Sequence, residues 1–99
     1  MALAVDLSTA KFTWAWGQGT GGTATSFEIG VGPSAGSYSI FKFVALAARE
    51  LPVNQVVTTP GTYFAAIRAV GSVLKSGWSN EVTFQGEIAP VAPTAFAVV

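Results

Sequence analysis

The chain has 99 residues, which is enough for one domain with a modest hydrophobic core. It contains neither cysteine nor histidine, which excludes disulfides and thiolate metal sites and removes the commonest general base. Five acidic and five basic side chains give a formal net charge of zero, so we expect no nucleic-acid partner.

The surface is predicted to be unusually poor in charge. Charged residues make up 10% of the chain, against about 25% in an average globular protein, and hydrophobic residues make up 51%. A small domain has much surface for each residue, so Gly, Ser, Thr, Ala and apolar side chains must cover most of it. We therefore expect part of this surface to be covered by a protein partner.

The chain carries no signal for export or for membrane insertion. Residues 1–6 lack a basic region followed by an apolar run, and no stretch of about 20 apolar residues occurs anywhere. We expect a chain that is neither exported nor inserted in a membrane.

The first two predicted strands cover residues 3–7 and 12–16, where apolar side chains alternate with small or polar ones. They are predicted to form a hairpin with its apolar side inward. Gly17, Gly19 and Gly22 follow with the spacing G-x-G-x-x-G, which cradles a dinucleotide pyrophosphate in some folds. Such a site needs a helix N-terminus after the glycines, whereas residues 27–31 alternate as a strand. We therefore predict a flexible hairpin loop between two strands, with no bound nucleotide or other cofactor.

The rest of the chain also reads as strands separated by turns, at the spacing of a β-sandwich. A turn is predicted at residues 32–36, and residues 45–51 have the composition of either a short helix or an irregular connection. Residues 53–59 are predicted to be extended and residues 71–77 to form a loop. Further strands are predicted over residues 38–44, 63–70 and 80–85.

Residues 58–84, TTPGTYFAAIRAVGSVLKSGWSNEVTF, resemble the second half of a fibronectin type III domain of the bacterial and phage style. In this resemblance Trp16 matches the core aromatic of the second strand, Phe27 opens the third, and Tyr63 follows the family's Pro-Gly-Thr. The resemblance implies an all-β, antiparallel immunoglobulin-like sandwich of about seven strands. It also implies that Tyr63 makes a corner by hydrogen-bonding back to the chain.

The domain is predicted to span residues 1–85 and to be followed by an Ala/Pro-containing C-terminal arm, residues 86–99. One core is expected, and its predicted members are Trp16, Phe27, Ile29, Tyr63, Ile67, Val82 and Phe84.

The loop before the last strand contains the first candidate interaction residues, Val73, Leu74, Lys75 and Trp78. Tryptophan is enriched at interface hot spots, so these side chains could be contact anchors. The alternative is that Trp78 folds back over the sheet edge and Leu74 caps the core. Both interpretations stay open on the sequence.

Glu28 and Arg68 are predicted to be neighbours on the outer face of the sheet, either as an interface charge pair or as a plain ion pair in solvent. The acidic side chains fall on different strands and loops, so no pair of catalytic carboxylates is indicated. With histidine and cysteine absent as well, we expect no enzymatic activity.

The arm supplies the remaining interaction candidates, Val91, Phe96, Val98 and Val99. Two Ala-Pro steps stiffen it, and its last residues favour β-structure. It resembles the linker and first strand of a following fibronectin domain. It is expected to pair with an edge strand of its own domain or to lie on a neighbouring subunit, the alternative being a disordered tail.

Two functions are compatible with these features. The first is a phage virion component, such as a capsid decoration or tail accessory subunit, whose partners are a virion lattice or neighbouring copies. The second is an accessory spacer or carbohydrate-proximal module of a secreted bacterial enzyme or surface protein, located outside the cell or at its surface. The Arg-Gly-Asp motif of some fibronectin domains is absent, so cell adhesion is not implied.

Overall fold

A computed structural model describes residues 3–99, and these residues fold almost entirely as β-structure. The described chain contains seven strands and one short 3₁₀ helix. The strands are β1 (Leu3–Asp6), β2 (Lys11–Thr13), β3 (Ala24–Gly32), β4 (Ile40–Ala45), β5 (Glu50–Pro52), β6 (Gly61–Gly71) and β7 (Val82–Glu87), and the 3₁₀ helix covers Val53–Gln55.

The strands form two sheets, which confirms the predicted all-β, sandwich-like fold. The larger sheet has five strands in the order β1-β7-β6-β3-β4, and the smaller sheet pairs β2 with β5. The pairing is antiparallel except at one edge, where β1 runs parallel to β7 with Leu3 opposite Phe84. The sandwich is therefore mixed rather than purely antiparallel.

The predicted hairpin of residues 3–7 and 12–16 is wrong, because β1 and β2 lie in different sheets. The Asp6 carbonyl accepts hydrogen bonds from the N–H groups of Thr9 and Ala10, and this turn carries the chain across. Leu7 is buried at the crossing, against Gly86 of β7. A Cβ on Gly86 would lie 2.6 Å from a Leu7 methyl carbon, so the glycine makes room for the crossing.

The prediction of a hairpin loop at the glycines is also wrong, because β2 and β3 do not pair and the loop joins the two sheets. The Gln18 side chain organises it by donating to the carbonyls of Gly21 and Gly22 and accepting from the Ala24 N–H. The loop is a sheet-to-sheet connection with a polar side chain at its centre.

The segment between β4 and β6 is irregular, whereas the sequence predicts extended structure over residues 53–59. Residues 53–55 form the 3₁₀ turn instead of a strand, and Val53 and Val57 are both buried because the turn brings them to the same side. Within residues 45–51 no helix forms, and residues 46–49 are an irregular connection between the end of β4 and the start of β5. The Arg49 guanidinium donates to the carbonyls of Leu46 and Ala48, and β5 follows directly.

The core lies between the two sheets and is centred on β3. Phe27, Ile29 and Val31 are its most deeply buried large side chains, and Phe84 of β7 points into the core from the same sheet. Trp16 packs edge-on against Phe27 with ring centroids 5.5 Å apart. Tyr63 and Ile67 are half-buried against the same cluster.

Val82 departs from the predicted core, because 46% of it is exposed. It lies opposite Ala65 on the core-facing side, at the start of β7. Among the described residues the smaller sheet has only two strands, so it does not extend over this end of β7. The exposure of Val82 marks an opening along one side of the sandwich.

Tyr63 donates its hydroxyl hydrogen to the carbonyl of Thr59, four residues back, which is the bond that the resemblance implies. The ring packs on Phe84 with centroids 5.5 Å apart. The hydrogen bond lies at the surface, so its loss leaves the carbonyl open to water.

We predict that Tyr63→Phe lowers the free energy of unfolding by about 0.5–1.5 kcal/mol, the net value of one ordinary hydrogen bond. Tyr63→Leu removes the aromatic packing as well and should cost more. Urea denaturation of the three proteins measures both differences. Equal losses in the two variants would contradict a separate role for the hydroxyl.

Candidate functional site

The connection between β6 and β7 does not project as a free loop, because most of it runs back along β6. Ser76 and Ser79 donate backbone N–H groups to the carbonyls of Ala69 and Ile67. Their hydroxyl oxygens accept from the N–H groups of the same two residues. The two serines therefore supply hydrogen-bond partners to the backbone of β6 beyond Ala65, where β7 does not pair with it.

Val73 and Leu74 lie at the tip of this connection and are almost fully exposed. The Leu74 carbonyl accepts from the Gly71 N–H and closes the tip, while its side chain points away from the core. The alternative in which Leu74 caps the core is therefore wrong. Its role as a contact residue stays a prediction.

Trp78 lies over the outer face of the larger sheet, the face away from the core. The Arg68 guanidinium carbon is 4.1 Å from the Trp78 ring centroid. Tyr38 meets the ring edge-on at 5.0 Å, and Phe41 stacks on it at 6.5 Å. We call Tyr38, Phe41, Phe43, Arg68 and Trp78 the outer-face cluster.

Glycine in the middle of β3 makes this packing possible. A Cβ on Gly30 would lie 3.0 Å from atoms of both the Trp78 and the Tyr38 rings. Gly36, whose φ of 71° is in the left-handed region, closes the turn that leads to Tyr38. The two aromatic rings therefore fill a depression that the β3 sequence leaves open.

Phe41 and Phe43 add exposed apolar surface to the outer-face cluster, with 49% and 57% of each residue accessible. They lie on β4, opposite Gly30 and Glu28 of β3. Sequence reasoning missed them as site residues. The available signal was their two-residue spacing, which places both phenyl rings on one face of a strand.

Glu28 lies beneath the outer-face cluster and is only 4% exposed. It is opposite Arg68 in the strand pairing, as predicted. One carboxylate oxygen accepts from Arg68 Nε at 2.7 Å and from a terminal guanidinium nitrogen at 2.6 Å, and Lys75 Nζ lies 3.4 Å away. The interpretation as an ion pair in solvent is therefore wrong, because Trp78 and its neighbours cover the outer face there.

Lys75 bridges this charged centre and the exposed aromatic edge. Its ammonium lies 5.8 Å from the Phe43 ring centroid as well as near the Glu28 carboxylate. Of the loop candidates, Lys75 and Trp78 thus belong to the outer face of the sheet, while Val73 and Leu74 form a separate apolar tip.

We predict that Arg68→Met destabilises the protein by about 2 kcal/mol, because it leaves a buried carboxylate with only Lys75 as a partner. The double variant Glu28→Gln/Arg68→Met should recover part of this loss. The matched control is Lys11→Met, which breaks the exposed pair with Glu50 and should cost less than about 1 kcal/mol. Chemical denaturation measures all three, and equal costs for Arg68→Met and Lys11→Met would contradict the burial of Glu28.

A second polar contact ties the turn before β4 to the start of β7. Glu81 Oε2 accepts from the Tyr38 hydroxyl at 2.6 Å and from the Gly36 N–H at 2.8 Å. These bonds, the Tyr38 one foremost, lower the pKa of Glu81 below its ordinary value. Burial, followed by the bond to Glu81 and the charge of Glu81, raises the pKa of Tyr38 from 10.0 to about 12.

This contact predicts a spectroscopic titration in the Tyr63→Phe background, where Tyr38 is the remaining tyrosine. Tyrosinate absorbance should rise with a midpoint near pH 12, and Glu81→Gln should lower the midpoint without returning it to 10.0, since burial is the largest cause. The unfolded chain loses the Tyr38 proton at lower pH than the folded one. The contribution of the protonated Tyr38 hydroxyl to folding stability is therefore complete below pH 10.0 and is lost as the pH rises toward about 12. A midpoint that Glu81→Gln leaves unchanged would contradict the contact.

The arm stands apart from both sheets. β7 ends at Glu87, two residues beyond the predicted end of the domain, and residues 88–99 form no strand and are exposed throughout. The exposed fraction is 94% or more for each of the four interaction candidates of the arm, Val91, Phe96, Val98 and Val99. The arm contributes to an elongated shape of 69 × 27 × 19 Å.

Two features are absent from the described residues 3–99, namely a cluster of metal-ligating side chains and a helix able to cross a membrane. No group of three or more carboxylate or other metal-ligating side chains gathers there. None of the helical structure in this part of the chain is long and apolar enough to cross a membrane.

Comparison with known proteins adds no relative, since no family model, no curated protein sequence and no solved structure matches this chain.

Proposed function

We propose that this chain is a non-catalytic structural and interaction protein, a phage virion component that acts as a capsid decoration or tail accessory subunit. Its proposed scaffold is a fibronectin type III-like domain. The observation that carries the proposal is the part of the arm after β7, residues 88–99, which has no charged side chain, lies outside both sheets and is exposed along its whole length.

The apolar side chains of the arm would stabilise an assembly if another surface buried them. Burying Phe96, Val98 and Val99 on another surface contributes about 1.5–3 kcal/mol for each, before the cost of ordering the segment. No charged side chain in residues 88–99 has to be desolvated on contact. The arm is thus suited to attach one subunit to another body.

The outer-face cluster and the Val73–Leu74 tip supply further apolar contact surface. Phe41 and Phe43 lie on the edge strand β4, where the unpaired side of the strand also faces solvent. Soluble monomers seldom leave such surface uncovered when few charges surround it. A subunit packed on a lattice would cover it.

One observation favours a second function, an accessory module of a secreted bacterial enzyme or surface protein. The arm has the composition of a linker followed by a strand, with Pro90 and Pro93 in the linker part. In that case its apolar end belongs to the next domain of the same polypeptide. Removing it would then leave the association of the module unchanged.

The experiment that separates these functions is deletion of residues 88–99. Glu87 is kept because its carbonyl accepts from the Leu7 N–H and it pairs with Asp6. We predict a truncated protein with the circular dichroism of the full chain but with reduced co-purification with phage particles, measured by mass spectrometry of gradient-purified virions. The control Glu50→Gln changes an exposed side chain outside both the arm and the outer-face cluster, and it should retain association.

Two results would contradict the proposal. Normal association of the truncated protein would show that the arm is a dispensable linker and would favour the module. Unfolding of the truncated protein would show that the arm is a strand of its own domain.

A further inference from the structure

One side of the sandwich is open along the smaller sheet. A groove of ≈ 190 Å³ lies there, between β2 with the residues that follow it and the facing parts of β6 and β7. Phe12, Trp14, Ile67 and Val82 are among its apolar lining residues. A water molecule takes about 30 Å³ in the liquid, so the groove has room for side chains.

The edge of β2 along this groove has unpaired backbone groups. The Trp14 N–H donates to the Arg49 carbonyl, and the Ala10 carbonyl accepts from Val53, so these residues face β5. Because the direction of pairing alternates along an antiparallel strand, the N–H and C=O groups of Thr13 point the other way. No strand of residues 3–99 pairs with that edge.

A buried donor without a partner belongs to Trp14, one of the residues that line this groove. Trp14 Nε1 is the buried side-chain polar atom for which the described residues supply no hydrogen-bond acceptor. Leaving such a group unsatisfied costs about 1–3 kcal/mol. Because the chain's own atoms cover this nitrogen, an acceptor from outside reaches it once the Trp14 ring turns toward the groove.

We propose, on the basis of the function proposed above, that the arm of a second copy of this chain fills the groove. Residues 94–99 add to the free edge of β2 as a third strand of the smaller sheet. Phe96 enters the groove between the sheets, and a main-chain carbonyl of the arm accepts the hydrogen bond of Trp14 Nε1.

The sequence of the arm fits this site in three respects. Residues 94–99 have about the length of an average strand and contain no proline, so every amide can join the ladder. Phe96 and Val98 are two residues apart and point to the same face. None of the side chains of residues 94–99 carries a charge that would have to enter an apolar groove.

The position of the arm favours a second copy over the chain's own groove. The arm leaves β7 at Glu87, whereas the groove is lined by Val82 at the other end of that strand. Pro90 and Pro93 oppose a hairpin back along β7 because they lack amide hydrogens. Residues 88–93 instead reach roughly 19 Å outward at ~3.1 Å per residue, which suffices to span to a neighbour.

The test mixes two full-length chains with complementary defects. Thr13→Pro removes an outward N–H of the β2 edge and leaves the arm intact, and Phe96→Asp/Val98→Asp impairs the arm and leaves the groove intact. Sedimentation velocity should show self-association of the parent, weakened about tenfold or more in each variant alone, and a one-to-one complex when the two are mixed. Thr13→Val keeps the N–H and should associate like the parent.

The indole N–H signals give an independent readout. The Phe96→Asp/Val98→Asp chain is labelled with ¹⁵N and mixed with unlabelled Thr13→Pro chain. The Trp14 indole cross-peak should shift and its hydrogen exchange should slow, while that of Trp78, on the outer face of the other sheet, stays unchanged. If Thr13→Pro does not fold, Trp14→Phe replaces it, since this change removes the donor and keeps an aromatic ring.

Each other outcome overturns the inference in a recognisable way. Parent-like association of Thr13→Pro, with loss in the arm variant, would place the arm elsewhere and leave the proposed function intact. A monomeric parent whose Trp14 signal depends on Phe96 would show that the chain fills its own groove. A monomeric parent with an unaffected Trp14 signal would exclude a second copy, and only the virion experiment would then decide the proposed function.

Discussion

The structure depends on β3, a strand of nine residues that is covered on both faces. Its inner side chains, Phe27, Ile29 and Val31, form the centre of the core. Its outer face has Gly30 and Gly32 next to Glu28, so it offers a shallow trough instead of a row of side chains. Trp78 and Tyr38 fill that trough, and this fixes the course of the segments that carry them.

The burial of Glu28 follows from the same arrangement. A carboxylate in the middle of a covered strand requires cations from its neighbours, and Arg68 of β6 and Lys75 of the following connection supply them. Arg68 also lies against Trp78, so the charge pair and the aromatic packing hold each other in place. The outer face of the sheet around Glu28 is thus covered by packed charged and aromatic side chains and is not open to solvent.

Local sequence patterns were sufficient for the strands and for much of the core. Alternation placed Phe27, Ile29 and Phe84 inside, because a half-buried strand repeats every two residues. Alternation could not tell which strands pair, and so residues 3–7 were assigned to a hairpin with the next strand instead of to the edge of β7. The burial of Leu7 against Gly86 decides that pairing, and it depends on residues far apart in the chain.

The sites were harder to predict for a related reason. The covering of Glu28 depends on a segment about 50 residues later in the chain, so no local spacing reveals it. The 3₁₀ turn at Val53 was missed because a short run of β-branched residues favours extended structure unless a buried contact overrides it. The groove could not be seen at all from the sequence, since it arises from a strand that is absent from the smaller sheet.

The placement of arm and groove at opposite ends of β7 has a consequence for symmetry. The two ends of this strand are roughly 17 Å apart, so a contact from the arm of one copy to the groove of the next joins two different surfaces. Two copies can therefore exchange arms reciprocally about a two-fold axis, or each copy can place its arm on the next in a head-to-tail series. The rotation between successive copies then decides whether the series closes into a ring or continues as a filament.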